Sequence, residues 1–313
     1  MRPVVDGLGG FAGRGACTDA ERRAALWLHA RLRASRREAW VETRWVRPQR
    51  AAALALACLA TAAGGLLATA APVAGLAVAA AGFVALAADL AGRNPLLLLF
   101  PRRATQHVIA GPIGPALLVV AAYDAPPGGL VLEDAWRARL RRLPYAGLAA
   151  CGSVVAAAAA ARLAGVESTW LGAVQLVPTL VLLAAVAAAA DVALSDYAPA
   201  ANDNASGVAV AIAVYEALDS RAGLLLVGAG HAVPGAVRAH LRRERLDAAV
   251  LELGPCGSGA PHRSGRRIVC LDERGIAPRA VEPDDEVMQA ALDFALAELQ
   301  REDAERREVL DRL

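Results

Sequence analysis

Between Arg50 and Asp89 the chain runs for 38 residues, 51–88, without a charge: AAALALACLATAAGGLLATAAPVAGLAVAAAGFVALAA. One helical bilayer crossing takes about 20 residues. The run is too long for one crossing and suits two short ones, with Gly64, Gly65 and Pro72 marking the place to turn. A second pair follows, uncharged over 143–161 and again over 168–190, with Arg162 and Glu167 in the short link. The alternative is a set of Ala-rich core helices in a soluble chain, but these seldom run so far without a charge. The sequence therefore predicts four transmembrane helices in two hairpins. A mean hydropathy of +0.39 and a hydrophobic share of 56% agree, since soluble domains are about half apolar.

Arginine sets the expected orientation. Arg31, Arg33, Arg36, Arg37, Arg44, Arg47 and Arg50 precede the first hairpin, and Arg102, Arg103, Arg137, Arg139, Arg141 and Arg142 separate the two, whereas the links inside the hairpins offer only Arg162. Basic residues stay on the cytoplasmic side, so both termini and all polar segments are expected there, on an inner (cytoplasmic) membrane. The amino terminus lacks the pattern of an export signal, which leaves insertion to the first hairpin. A net charge of +2 argues against a nucleic-acid partner and leaves the lipid bilayer as the expected one. Five cysteines without paired spacing give neither a disulfide framework nor a zinc knuckle.

The hairpins divide the chain into 1–50, 51–92 (hairpin), 93–142, 143–191 (hairpin) and 192–313. The first and second polar pieces are too short to fold alone, so the three are expected to build one interrupted domain. Thr18-Asp19-Ala20-Glu21 reads as a capping box opening a helix with Ala24, Ala25, Leu28 and Leu32 on one face. Val41, Thr43 and Trp45 alternate as in an edge strand. TQHVIAG and ALLVVAAYD read as buried strands, ASGVAVAIAVYEALDS as a helix, GLLLVGA as a strand, PGAVRAHLRRE as a helix, and AAVLELG and RRIVCL as strands. Met288, Leu292, Leu296 and Leu299 form the packing face of a last helix. Strands alternating with helices predict an α/β layered sheet with ligands at the carboxyl ends of the strands. Those ends carry Asp124, the stretch Gly228 to His231, and Glu252. Asp203, in NDNASG, stands before the intervening helix, where a helix cap is its simplest role.

In these residues the chain resembles the co-catalytic zinc aminopeptidases and carboxypeptidases of metallopeptidase family twenty-eight. NDNASGVA is similar to the family's metal-bridging aspartate motif, DAERRAALWLHARLRA to its opening helix, TQHVIAGPIGPALLVVAAYDAP to the strand pair leading to a His-x-Asp, and LLLVGAGHAVPGAVRAHL to the strand carrying two adjacent glutamates. The resemblance covers the polar segments and neither hairpin. It implies a zinc-peptidase-like αβα layered sheet, shortened at its carboxyl end and interrupted by the two hairpins.

It also implies a site with losses. Ala122 stands where the family has its first histidine ligand, leaving Asp124 to orient an imidazole that is absent. Gly230 stands at the general base and His231 at the adjacent glutamate ligand, while Glu252 keeps a carboxylate at a ligand position. The last histidine has no counterpart. Asp203, His231 and Glu252 remain as a set that holds one zinc ion or, with so many partners gone, none. The resemblance thus implies a membrane-embedded pseudoenzyme that binds a peptide or protein partner, with a single-metal peptidase or amidase as the alternative. His29 and His240, without neighbours at ligand spacing, read as helix-surface residues.

Overall fold

The computed structural model describes residues 1–140, 146–218, 222–233, 235–279 and 281–311. Arg141, Arg142, residues 143–145 of the second hairpin, residues 219–220 of the helix after Asp203, and Pro234 lie outside the described residues. In chain order the elements are α1 (Arg2–Gly9), α2 (Asp19–Ala34), β1 (Ala39–Val46), α3 (Arg50–Leu67), α4 (Pro72–Leu90), β2 (Arg103–Ala110), β3 (Leu117–Ala122), α5 (Asp134–Leu140), α6 (Ala146–Leu163) and α7 (Thr169–Leu194). Then come α8 (Gly207–Ala217), β4 (Ala222–Val227), α9 (Ala236–Glu244), β5 (Ala249–Leu253), β6 (Ala260–Ser264), β7 (Arg267–Leu271) and α10 (Asp285–Asp311).

The chain separates into two compact units, one of residues 1–48, 103–127 and 197–313, the other of 49–102 and 128–196. Residues 93–102 and 128–140, which the sequence reading places with the polar domain, group with the apolar helices.

The first unit is a mixed seven-stranded sheet in the order β1-β2-β4-β3-β5-β7-β6. β3, β4, β5 and β7 run parallel, while β1, β2 and β6 pair antiparallel at the two sides. The central strands are apolar at nearly every position because both their faces are covered. Val119, Ala121, Leu224 and Leu226 pack into a core shared with α1, α2, α8 and α10. Their neighbours Leu118, Val120, Leu225 and Val227 turn to the opposite face, against Ala236, Val237 and Leu241 of α9. The period of two thus sorts one apolar run into two cores. Leu28, Leu32 and Met288 are fully buried as their helical spacing predicts. The sequence reading missed α1 and β6; β6, APHRS, is a polar edge strand with no apolar alternation to announce it.

The second unit holds α3, α4, α6 and α7, all four long and apolar enough to cross a membrane. Their facing sides are built from small residues. A Cβ on Gly75 would lie 2.2 Å from the backbone nitrogen of Ala68, one on Gly64 2.2 Å from that of Ala79, and one on Gly82 2.5 Å from that of Thr61. Close backbone approach replaces large side chains here, as helices packed in lipid require. Leu86, Val155 and Leu182 fill the remaining core, and many other large apolar residues face outward: Leu66, Val73, Val84, Val174, Leu176, Val177 and Leu180 are exposed.

Gly82→Leu should therefore overpack the α3–α4 seam and destabilise the bundle by about 1–3 kcal/mol. Gly172→Leu, on α7 with open space around it, should leave stability within about 0.5 kcal/mol. Thermal unfolding of the two variants in detergent separates these outcomes.

Candidate functional site

The carboxyl ends of β3, β4 and β5 meet around the turn Ala201–Ser206, in which Asn202, Asp203, Asn204 and Ser206 are all buried. Its polar side chains divide the work. Asn204 donates from Nδ2 to the carbonyls of Ala122 (3.0 Å) and Leu253 (3.3 Å), tying the ends of β3 and β5 together. Asn202 accepts from the Gly257 amide at 2.8 Å and donates to the Pro278 carbonyl at 2.6 Å. The Ser206 hydroxyl accepts from the Cys256 amide at 2.9 Å. A Cβ on Gly207 would lie 2.1 Å from both Asn204 Oδ1 and the Gly254 carbonyl, so only glycine lets the helix start this close to the strand ends.

Asp203 is not the helix cap that the sequence suggests: α8 begins without a side-chain cap. Its carboxylate points to two cations instead. Oδ1 meets His231 Nε2 at 3.0 Å, and Oδ2 accepts from Arg279 Nε at 3.2 Å. On the other side of the imidazole, His231 Nδ1 lies 3.2 Å from Asp124 Oδ1. An imidazole thus reaches Asp124 from the loop after β4. Asp124, fully buried, also accepts from the amides of Gly230 at 2.9 Å and His231 at 3.2 Å.

Burial pulls the His231 pKa down, but Asp124 and Asp203 outweigh it and bring the group up to about 10. The imidazole is therefore charged at neutral pH and lies between two carboxylates. Arg14, 3% exposed, is pushed down to about 10 by burial, partly offset by the same two aspartates. It donates to the carbonyls of Tyr123, Leu8 and Ala200.

A second buried carboxylate supports the loop after β4. Glu21 Oε1 accepts from the Ala229 amide at 2.7 Å and from the Thr105 hydroxyl at 2.5 Å, and Oε2 accepts from the Cys17 amide at 2.6 Å. Burial raises its pKa to about 7 despite these bonds. Half of the capping box is present, with the Glu21 amide donating to Thr18 Oγ1 at 3.1 Å. Glu21 and Asp124 together hold the successive amides of Ala229, Gly230 and His231, and Ala229 takes a φ of 53°. Among side chains, Gly230 faces Ala122: a Cβ at 230 would lie 2.6 Å from that of Ala122.

Glu252 stands outside this group. On β5 its side chain is 39% exposed, 3.5 Å from Arg267 on β7. The zinc set Asp203, His231 and Glu252 is therefore not assembled. Of the two members that do meet, the histidine has both nitrogens on carboxylates and the aspartate has both oxygens on protein cations. These donors do not fit a metal ion in this arrangement.

One possible metal-binding triad lies elsewhere in the same unit. Glu42, His240 and Glu244 offer ligand atoms within 4.8 Å of one another. His240 is buried at 4% exposure rather than on a helix surface, and its i, i+4 spacing to Glu244 was the signal available in the sequence. Burial, then Arg44, keeps its pKa low, and the neighbouring His107 is pushed down to about 4 mainly by burial. The cation among these ligands is Arg44, whose Nη2 lies 2.6 Å from Glu42, 2.9 Å from Glu244 and 3.4 Å from His240 Nδ1.

Two predictions follow from this geometry. Removing the internal cation with Arg44→Ala should let the Glu42–His240–Glu244 triad bind cobalt(II), seen as visible absorbance absent from the parent protein and lost again in Arg44→Ala/His240→Ala. For His231 the folded pKa lies above the unfolded value of about 6.5. Its stabilising contribution is thus complete below that pH and is lost as pH rises through about 10. His231→Asn should be less stable than the parent at pH 6–8, and the gap should close toward pH 11; a gap that stays constant would show that the charge is not what stabilises.

No family model matches the chain, and neither a curated protein nor a solved structure matches it.

Proposed function

We propose that this chain is a membrane-embedded protein of zinc-peptidase-like architecture that has given up hydrolysis, with its α/β unit on the cytoplasmic side of the inner membrane, where it binds a peptide or protein partner. The observation that carries this reading is the double pairing of Asp203. Both its oxygens are held by side chains of the same unit, His231 and Arg279, at 3.0 and 3.2 Å. A bridging carboxylate has to present those oxygens to metal. The general-base position supports the same conclusion, because Gly230 has no group that can take a proton. The arginine-rich segments around the apolar helices support the orientation.

The protein should show no peptidase turnover above background, since losing a general base alone costs two to four powers of ten. Gly230→Glu should not repair it. The new Cβ would collide with Ala122 at 2.6 Å, so the variant should lose stability and gain no activity. Elemental analysis of detergent-purified protein should find no stoichiometric zinc. One zinc per chain with measurable peptide cleavage, both abolished by Asp203→Ala, would replace this reading with that of a single-metal hydrolase at Asp203, His231 and Glu252.

A further inference from the structure

In the second unit the stretch RNPLLLLFPR, 93–102, folds as a short 3-10 turn over Pro95–Leu99. It is tethered by a bond from Asn94 Nδ2 to Asp89 Oδ1 at 2.9 Å. Leu98 and Leu99 are 70% and 71% exposed. Two adjacent leucines left this open are out of place in water. Arg93 and Arg102, at the two ends of the stretch, are also exposed, and among the described residues no ion pair involves either of them.

The place of the turn within the bundle accounts for it. Arg50, at the start of α3, meets Asp89 near the end of α4 at 3.3 Å. Gly65, near the other end of α3, abuts Gln175 near the start of α7. The two hairpin turns therefore share one end of the bundle, and the points where the chain enters and leaves share the other. α3 has 18 residues, a length of about 27 Å at 1.5 Å per residue, close to the roughly 30 Å hydrocarbon core. A turn that leaves α4 directly falls at the boundary between acyl chains and headgroups. A second apolar turn, Leu130–Leu132, is held at the same end by a bond from the Leu130 amide to Asp191 Oδ2 of α7 at 2.6 Å. Leu130 is 63% and Trp136 46% exposed, and the Arg139 guanidinium lies over the Trp136 ring, 5.4 Å from its centroid.

We propose that the Pro95–Leu99 turn is an interfacial foot: Leu98 and Leu99 enter the acyl region, and Arg93 and Arg102 bind the phosphates of anionic lipids in the same leaflet. The surface is continuous with the apolar helices, and its two free arginines are complementary to an anionic headgroup layer. The proposal rests on the reading that the four helices span the membrane.

The test uses the full chain in nanodiscs of phosphatidylcholine and phosphatidylglycerol, with the photo-crosslinker p-benzoylphenylalanine replacing either Leu98 or Leu180. Leu180, 55% exposed on α7, reports the spanning helices. Lipid adducts are expected at both positions. Arg93→Gln/Arg102→Gln should lower the ratio of phosphatidylglycerol to phosphatidylcholine adducts at position 98 about five-fold or more, taking about five-fold per arginine, and leave the ratio at 180 unchanged. Adducts at 180 with none at 98, or a ratio at 98 that ignores the arginines, would overturn the foot alone. No adducts at either position would overturn the spanning reading and the foot with it.

Discussion

A buried carboxylate must be neutralised by something, and at Asp203 the protein does this with its own side chains. The rest of the first unit is arranged around that pairing. His231 reaches Asp203 only because the loop after β4 is held by Asp124 and Glu21 through three successive amides. Asp124 sits there because it follows β3, whose end is tied to that of β5 by Asn204. Each charge is compensated by the next, so loss of one member would leave a buried charge without its partner, a cost of several kcal/mol. The small-residue turn NDNASG is thus a structural junction first, with its amides and hydroxyl bonded to backbone and its one carboxylate bonded to cations.

The same sheet accommodates two long insertions because each is closed where it begins. Val46 and Arg103, on either side of the first, are register partners in the β1–β2 ladder. Pro127 and Tyr197, on either side of the second, form an isolated antiparallel bridge. Within the helical unit, the Gly128 amide donates to the Asp196 carbonyl at 3.0 Å, and Gln49 Nε2 donates to the Pro101 carbonyl at 3.4 Å. Once the ends of a loop are fixed together, further length adds little entropic cost, and hairpins of apolar helix can be carried without disturbing the register of the strands.

How much of this was legible follows from what each signal reports. Uncharged length located the four long helices, since nothing else in a globular chain produces such runs. Period-two and period-3.6 patterns located β1 to β5, β7, α2, α8 and the packing face of α10, because those elements bury a face. They were silent on β6, which buries little, and on α1. At the site, strand-end position singled out Asp124 and His231, and the NDNASG turn before the intervening helix singled out Asp203; the three do converge. Glu252 was chosen by the same rule and lies on the far side of a strand end, beside Arg267, because position along a strand does not say which way a side chain faces. Arg279 and Arg14 carried no signal: they come from loops whose approach to Asp203 and Tyr123 is set by tertiary packing. Glu21 was hidden by its success as a helix-start residue, and His240 by the distance in sequence between α9 and β1.

The charge of the cluster bears on what it can attract. Asp124 and Asp203 face His231, Arg279 and Arg14, three cations against two carboxylates, with His231 charged up to about pH 10. A divalent ion approaching such a group meets repulsion from these cations and finds both oxygens of Asp203 occupied, the reverse of the field a metal site provides. The surrounding loop leaves no room for a larger group either: a Cβ on Gly230 would lie 2.6 Å from that of Ala122, and the amides on either side of Gly230 are fixed by buried carboxylates. Electrostatics and sterics therefore point the same way, against a metal ion held between Asp203 and His231.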